Sequence, residues 1–330
     1  MIDSAIDIAL NLSRYDASVR SDVNQQLLKL EKELRAKLQE PLTEWSRKRV
    51  EKLLVDCEDI IRSYYDDAAF TTSEATSGAG EVVAKATLDS FPAALSATLP
   101  TAQMLKSIVS DVMILGNPAS AYWDKQTADT VFNFKAAVRQ GLAQGETNQQ
   151  IIKRVSDVLE MSRRNASSLV QTAVQSVASD ARMATYDANQ DLISRYDFFN
   201  TLDSHTCVRC MSMYGARVDI NFKPLNGKQY IKTPIHFSCR CGWLAVTKTF
   251  KELGIDMPEP ATGTRASDQG QVSRKMTFDD FLKSKSQAYQ DEMLGKGRAD
   301  MFRNGKITLS DLTNGNANPL TLEQLRAKYH

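Results

Sequence analysis

Four of the five cysteines and two of the three histidines of this 330-residue chain lie between residues 203 and 243. The stretch opens as Asp203-Ser-His-Thr-Cys207-Val-Arg-Cys210 and closes as Pro234-Ile-His236-Phe-Ser-Cys239-Arg-Cys241-Gly-Trp243. Two residues between cysteines make a turn that can aim both thiolates at one point. A following His-x-x-Cys or Cys-x-Cys pair then completes a tetrahedron around zinc. A segment that must return both ends to one ion has few folds open to it. The 25 to 28 residues between the two halves leave room for a β-hairpin or a loop that folds back. Gly215, Pro224, Asn226-Gly227 and Pro234 supply turns there, while Ala216–Ile220 and Gln229–Lys232 have strand-compatible composition.

Five candidate ligands compete for four positions. Cys207 and Cys210 belong to every arrangement, Cys239 ranks next, and His236 and Cys241 follow close together. Residues two apart on an extended strand face the same way, so Cys239 and Cys241 can both reach a metal. His236, three before Cys239, suits a turn instead. A zinc ion with every ligand drawn from protein is structural. Disulfides and buried unliganded thiols would share the same cysteine count. The N-terminus does not read as a signal peptide, so a reducing, intracellular setting is expected, which disfavours disulfides.

Charge is balanced, with 41 Lys and Arg against 40 Asp and Glu, and this argues against a dominant nucleic-acid footprint. Apolar runs such as Val112–Leu115 are far too short to cross a bilayer. Residues 1–120 read as a helical N-terminal domain. Within it, Val23, Leu27, Leu30, Leu34 and Leu38 form an amphipathic stripe better suited to the chain's own core than to a coiled coil. A second helix is expected from Pro41 through Tyr64, with Cys57 as a core thiol. The small, polar residues 67–80 read as a hinge or mobile loop, and helices follow at 81–91, 101–115 and 124–144.

Residues 121–250 hold the metal motif. Thr147 N-caps a short helix, Ser162 opens a longer one to about residue 190, and Tyr196–Phe199 has the apolar weight of a strand. A linker is expected over 251–275 and a helical tail over 276–330. In the tail, Thr277 caps a helix, turns fall at Gly295 and Gly305, and a last short helix starts at Thr321. The expected class is α+β, predominantly helical, with a small zinc-stapled β-hairpin unit in the C-terminal half.

The Asp203-x-x-Thr206-Cys207-x-x-Cys210 and Pro234-x-His236-x-x-Cys239-Arg240-Cys241 runs resemble the phage head-morphogenesis or minor head protein family, the phage Mu F-like group. The tail, with Phe278-Asp-Asp-Phe-Leu, Leu294-Gly-Lys-Gly-Arg298 and Phe302-Arg-Asn-Gly-Lys306, is similar to the segment downstream of the motif in that family. The resemblance covers about residues 130–330. It departs from the pattern at Gln171-Thr172-Ala173, where the family has Arg-Thr-Glu, and at His205, where it usually has Arg.

The resemblance implies a low-copy virion component inside the head near the portal, aiding head assembly and the packaging or ejection of DNA. It implies the portal or major capsid protein of the same phage as partner, with packaged DNA and self-association in the virion as further contacts. The residues themselves offer no evident active site, so no catalytic role is expected. The alternative is a zinc-dependent DNA-binding or nuclease-type protein. Lys223, Lys228, Lys232, Arg240 and Lys248 give 203–250 a basic tilt, and Asp203 with His205 could be cast as a general base. A nuclease needs further ligands for a catalytic ion, and only His236 and His330 remain.

Overall fold

The computed structural model of the chain describes residues 2–39, 46–110, 112–259, 264–267, 270–273 and 276–329. Long helices dominate: α1 (Ile2–Lys37), α2 (Arg47–Asp89), the short α3 (Ala102–Ser110), α4 (Ala119–Ala143) and α5 (Asn148–Asp187). Two compact units draw on them. Leu12–Gly80 and Lys106–Val177 make a helical unit; Met1–Asn11, Glu81–Leu105 and Ala178–His330 make the other.

In the helical unit the stripe Val23, Leu27, Leu30, Leu34 and Leu38 is buried in the chain's own core. It packs in one cluster with Leu54, Ile61, Phe134, Val138, Val155 and Val170. Cys57 lies in the same cluster, as its apolar face predicts, and burial pushes its thiol pKa up to about 12. Tyr65 meets Trp123 edge-on at 6.3 Å, and its hydroxyl lies 3.1 Å from Thr130 Oγ1. Arg163 pairs with Glu31, and Lys135 with Glu58. The expected start of the second helix at Pro41 falls outside the described residues.

Three expectations are corrected in this region. Residues 67–80 are an unbroken part of α2 and not a hinge. Ala68, Thr72, Thr76 and Ala79 are buried along one side of the helix. Thr72 and Thr76 hydroxyls donate to the carbonyls of Ala68 and Ser73, so packing and internal hydrogen bonds override weak helix propensity. Helix α3 stops at Ser110, and Met113–Ile114 (β1) pairs with Asn117–Pro118 (β2) across Leu115 and Gly116, at φ of 48° and 90°. Helix α5 runs through Ser162 without a break. The Ser162 hydroxyl accepts from Thr130 at 3.0 Å and its carbonyl from Gln126, so the residue that resembles a cap is a tertiary contact. Thr147 lies just before α5, where its hydroxyl accepts from Gln150 N at 3.4 Å. Gly145, at φ 68°, ends the preceding turn.

The second unit is built on a three-stranded antiparallel sheet and a small helical tail. Ile193–Phe199 (β3) is the central strand, flanked by Arg217–Val218 (β4) and Gly242–Thr247 (β5). This corrects the expected β-hairpin. The two halves of the motif do not pair with each other; each feeds an edge of β3, where Phe198 sits opposite Trp243 and Tyr196 opposite Val218. Residues 229–232 form no strand. Ile231 O accepts the Trp243 indole N–H at 2.9 Å, and the Tyr230 ring lies 5.2 Å from that indole. A short helix, α6 (Val208–Ser212), carries the first half of the motif.

Within the expected linker, Thr264–Ser267 (β6) and Gly270–Ser273 (β7) pair as a hairpin. The tail holds α7 (Phe278–Lys283), α8 (Gln287–Leu294), α9 (Lys296–Arg303) and α10 (Leu322–Lys328). Thr277 with Asp280, and Thr321 with Gln324, form reciprocal capping boxes at the starts of α7 and α10. Gly295 and Gly305 take positive φ at the expected turns. Among the described residues, no helix is long and apolar enough to cross a membrane.

Candidate metal centre

Cys207 is the N-cap of α6 and Cys210 lies inside its first turn. Two residues, Val208 and Arg209, lie between them, and this three-position step at the start of a helix returns both thiols to one side. The second half approaches through a tight turn: Cys239 N donates to His236 O at 3.2 Å, and Ser238 takes φ 58° between them. Cys241 immediately precedes β5. Two segments that each lead into an edge of the sheet thus bring all five candidates together.

The candidates form two overlapping groups, Cys207–Cys210–His236 and Cys210–Cys239–Cys241, with ligand atoms within 4.8 Å of one another in each. His236 Nε2 stands 3.0 Å from Cys207 Sγ and 3.2 Å from Cys210 Sγ, and Cys210 Sγ stands 3.8 Å from Cys239 Sγ. Zn–S bonds of about 2.3 Å at tetrahedral angles put sulfurs about 3.8 Å apart, and an imidazole nitrogen about 3.6 Å from each sulfur. The sulfur pair already matches that spacing. The imidazole sits a few tenths of an ångström closer, at hydrogen-bonding distance from both sulfurs. Its other nitrogen, Nδ1, faces Phe237 O at 2.7 Å, which holds Nε2 toward the thiols. The donor set fits a soft, four-coordinate divalent ion such as zinc, with Cys210 central to both groups.

Crowding also redistributes protons. The Cys210 thiol beside it, with His236, draws Cys207 down to about 4, and Cys239 is likewise lowered. Cys210 is pushed up, chiefly by the Cys207 thiolate, and Cys241 is raised too. His236 rises to about 10, held protonated chiefly by Cys207. Cys207 and Cys239 are thus ready thiolates, and a cation would displace a proton from whichever of Cys210, Cys241 and His236 it takes as ligands.

Around this centre lie residues that ligand spacing alone did not single out. Arg240, between two of the cysteines, makes a two-pronged contact with Asp203 at 2.8 and 2.9 Å. Asp203 Oδ1 also accepts from His205 N at 3.0 Å and Thr206 Oγ1 at 3.2 Å. One carboxylate therefore shapes the turn into Cys207 and ties it to the opposite half. Asn200 Nδ2 donates to Cys210 O and Arg209 Nη1 to Ile235 O, each at 2.9 Å. A Cβ at Gly242 would lie 2.7 Å from Phe199 Cε1 and 2.9 Å from Arg182 Nη1, so the backbone beside Cys241 needs glycine. The one available signal was position: Asp203 opens the first run and Arg240 lies inside the second.

The residues proposed for a nuclease are not assembled into such a site. Asp203 is occupied by Arg240, His205 is exposed and outside both ligand groups, and His330 falls outside the described residues. Thr172 and Ala173, where the family pattern has Thr and Glu, are buried, and Ala173 joins the helical core.

Residues 133–244 match the family model described as Phage Mu protein F like protein. The match runs from inside α4 to β5 and contains every candidate ligand; the tail lies beyond it. No curated protein and no solved structure matches the chain.

Proposed function

We propose that this chain, phage Mu F-like over residues 133–244, acts as a minor head protein of a phage. In this reading it is a low-copy virion component inside the head near the portal. It helps build a productive particle, engages the portal or major capsid protein, and contacts DNA during packaging or ejection. The observation that carries the reading is the closing of the Cys/His cluster within the matched segment. In this reading the role is structural and not enzymatic: the cluster's donors come from two chain segments, and a metal would tie them together beside the sheet and the Asp203–Arg240 pair.

Four of Cys207, Cys210, His236, Cys239 and Cys241 would hold one zinc ion, which would lock Asp203–Trp243 to the sheet. Cys210 belongs to both groups of ligands, so Cys210→Ser should release the metal and unfold this segment. Elemental mass spectrometry of the purified chain, with thiol titration, should find about one zinc per chain. The thiols should stay protected until a chelator is added. A metal-free chain with freely reactive thiols would overturn the zinc assignment. Mass spectrometry of purified heads should find the chain in the particle, and its absence there would overturn the virion assignment.

A further inference from the structure

Helix α6 faces two cores at once. Cys210 and Met213 belong to the sheet core with Phe198 and Trp243. Met211, only 1% exposed, belongs to the tail core with Phe278, Phe281, Leu309 and Leu312, against which Val208 and Tyr214 also pack. The far side of the metal-bearing helix is therefore a wall of the tail's own core.

Polar contacts fasten the same wall. Lys228, in the loop between the motif halves, uses all three ammonium protons. It donates to Ser212 O and Tyr214 O at 2.7 Å each and to Ser310 Oγ at 2.8 Å. The ammonium thus caps the C-terminal end of α6 and reaches the 3-10 turn Leu309–Leu312 of the tail. Thr313 Oγ1 donates to Ser212 Oγ at 2.8 Å, and Tyr214 OH to Met276 O at 3.3 Å. Ala317, at φ 54° and 1% exposed, sits in the sheet core, so the tail also reaches past the wall.

A helix of five residues does not hold itself, because nucleation costs more than so few hydrogen bonds return. Beyond its packing and polar contacts, α6 would be anchored at its N-terminal end by metal at Cys207 and Cys210. We propose that the metal centre is a latch for the chain's own C-terminal tail: metal at Cys207 and Cys210 sets α6, and α6 with Lys228 docks residues 276–329. Lys228 is a positioning residue, acting through α6 and touching no metal. The inference rests on the zinc assignment above.

Hydrogen exchange of the full-length protein, loaded with zinc and then stripped by chelator, tests it, with zinc content measured on the same samples. Stripping should speed amide exchange about tenfold or more in α7, α9 and residues 309–312, as well as in 203–243. Lys228→Met should keep its zinc while exchange at 309–312 quickens severalfold. If the chain carries zinc but tail protection is unchanged by stripping, the latch is wrong and the zinc assignment stands. If Lys228→Met leaves 309–312 as protected as before, the part given to the lysine is wrong. A chain that takes up no zinc fails at the earlier assignment.

Discussion

The helical unit and the sheet unit reach a stable interior by different means. In the helical unit, long helices satisfy their own backbone and need only bury apolar stripes; Leu30, Leu34, Leu38, Leu54, Ile61 and Phe134 do this almost completely. Around the sheet, strands of seven, two and six residues are joined by loops, and the elements that carry the cysteines have little regular structure. So small a sheet is marginal without a further tie. The first unit is held by one large core, and the second by two smaller cores joined through directed contacts. Damage to one should therefore read out differently from damage to the other.

The largest effect is expected where area does the holding. Phe134 is fully buried in the helical core, and Phe134→Ala should cost about 3–5 kcal/mol through lost burial and the cavity left behind. Zinc content should not change. Chemical denaturation with zinc analysis checks both halves of the claim. A cost below about 1 kcal/mol, or a loss of zinc, would erase the contrast between the units.

A smaller effect with a different signature is expected where contacts do the holding. Asp203→Asn removes the charge facing Arg240, while the side chain keeps one oxygen for the turn. The pair is only partly screened, with side-chain exposures of 31% for Arg240 and 12% for Asp203. Its loss should cost about 1.5–3 kcal/mol and weaken zinc binding about 10- to 100-fold, as for residues that orient ligands. Competition with a zinc-binding dye measures the affinity. Unchanged affinity would show that the two motif halves meet without this tie.

How far each region could be read from sequence obeys the same division. The leucine stripe of α1, the capping residue Thr277, the helix start at Thr321 and the Cys-x-x-Cys turn are signals within a few residues, and all appear where expected. Residues 67–80 misled because their composition is that of a loop, yet Thr72 and Thr76 are tolerable in a helix once buried with bonded hydroxyls. Ser162 misled because its hydroxyl serves Thr130, far along the chain, and not a helix start. The sheet order was hidden because β4 and β5 both pair with β3 and not with each other. Asp203 and Arg240 are 37 residues apart, a distance over which no local rule links them.

The smallest effect should come from the residue that stands nearest to the motif without serving it. His205 departs from the family pattern at a position beside Thr206, and in the fold its side chain is exposed while only its backbone N–H engages Asp203. An alanine keeps that N–H. His205→Ala should therefore leave stability within about 0.5 kcal/mol and zinc content unchanged, and phage carrying it should assemble heads normally. A nuclease assay on the same variant gives the comparison its sharpest edge. If the parent chain cleaves DNA and His205→Ala abolishes the cleavage, the exposed imidazole is a working group, and the second unit is held together for chemistry and not for assembly.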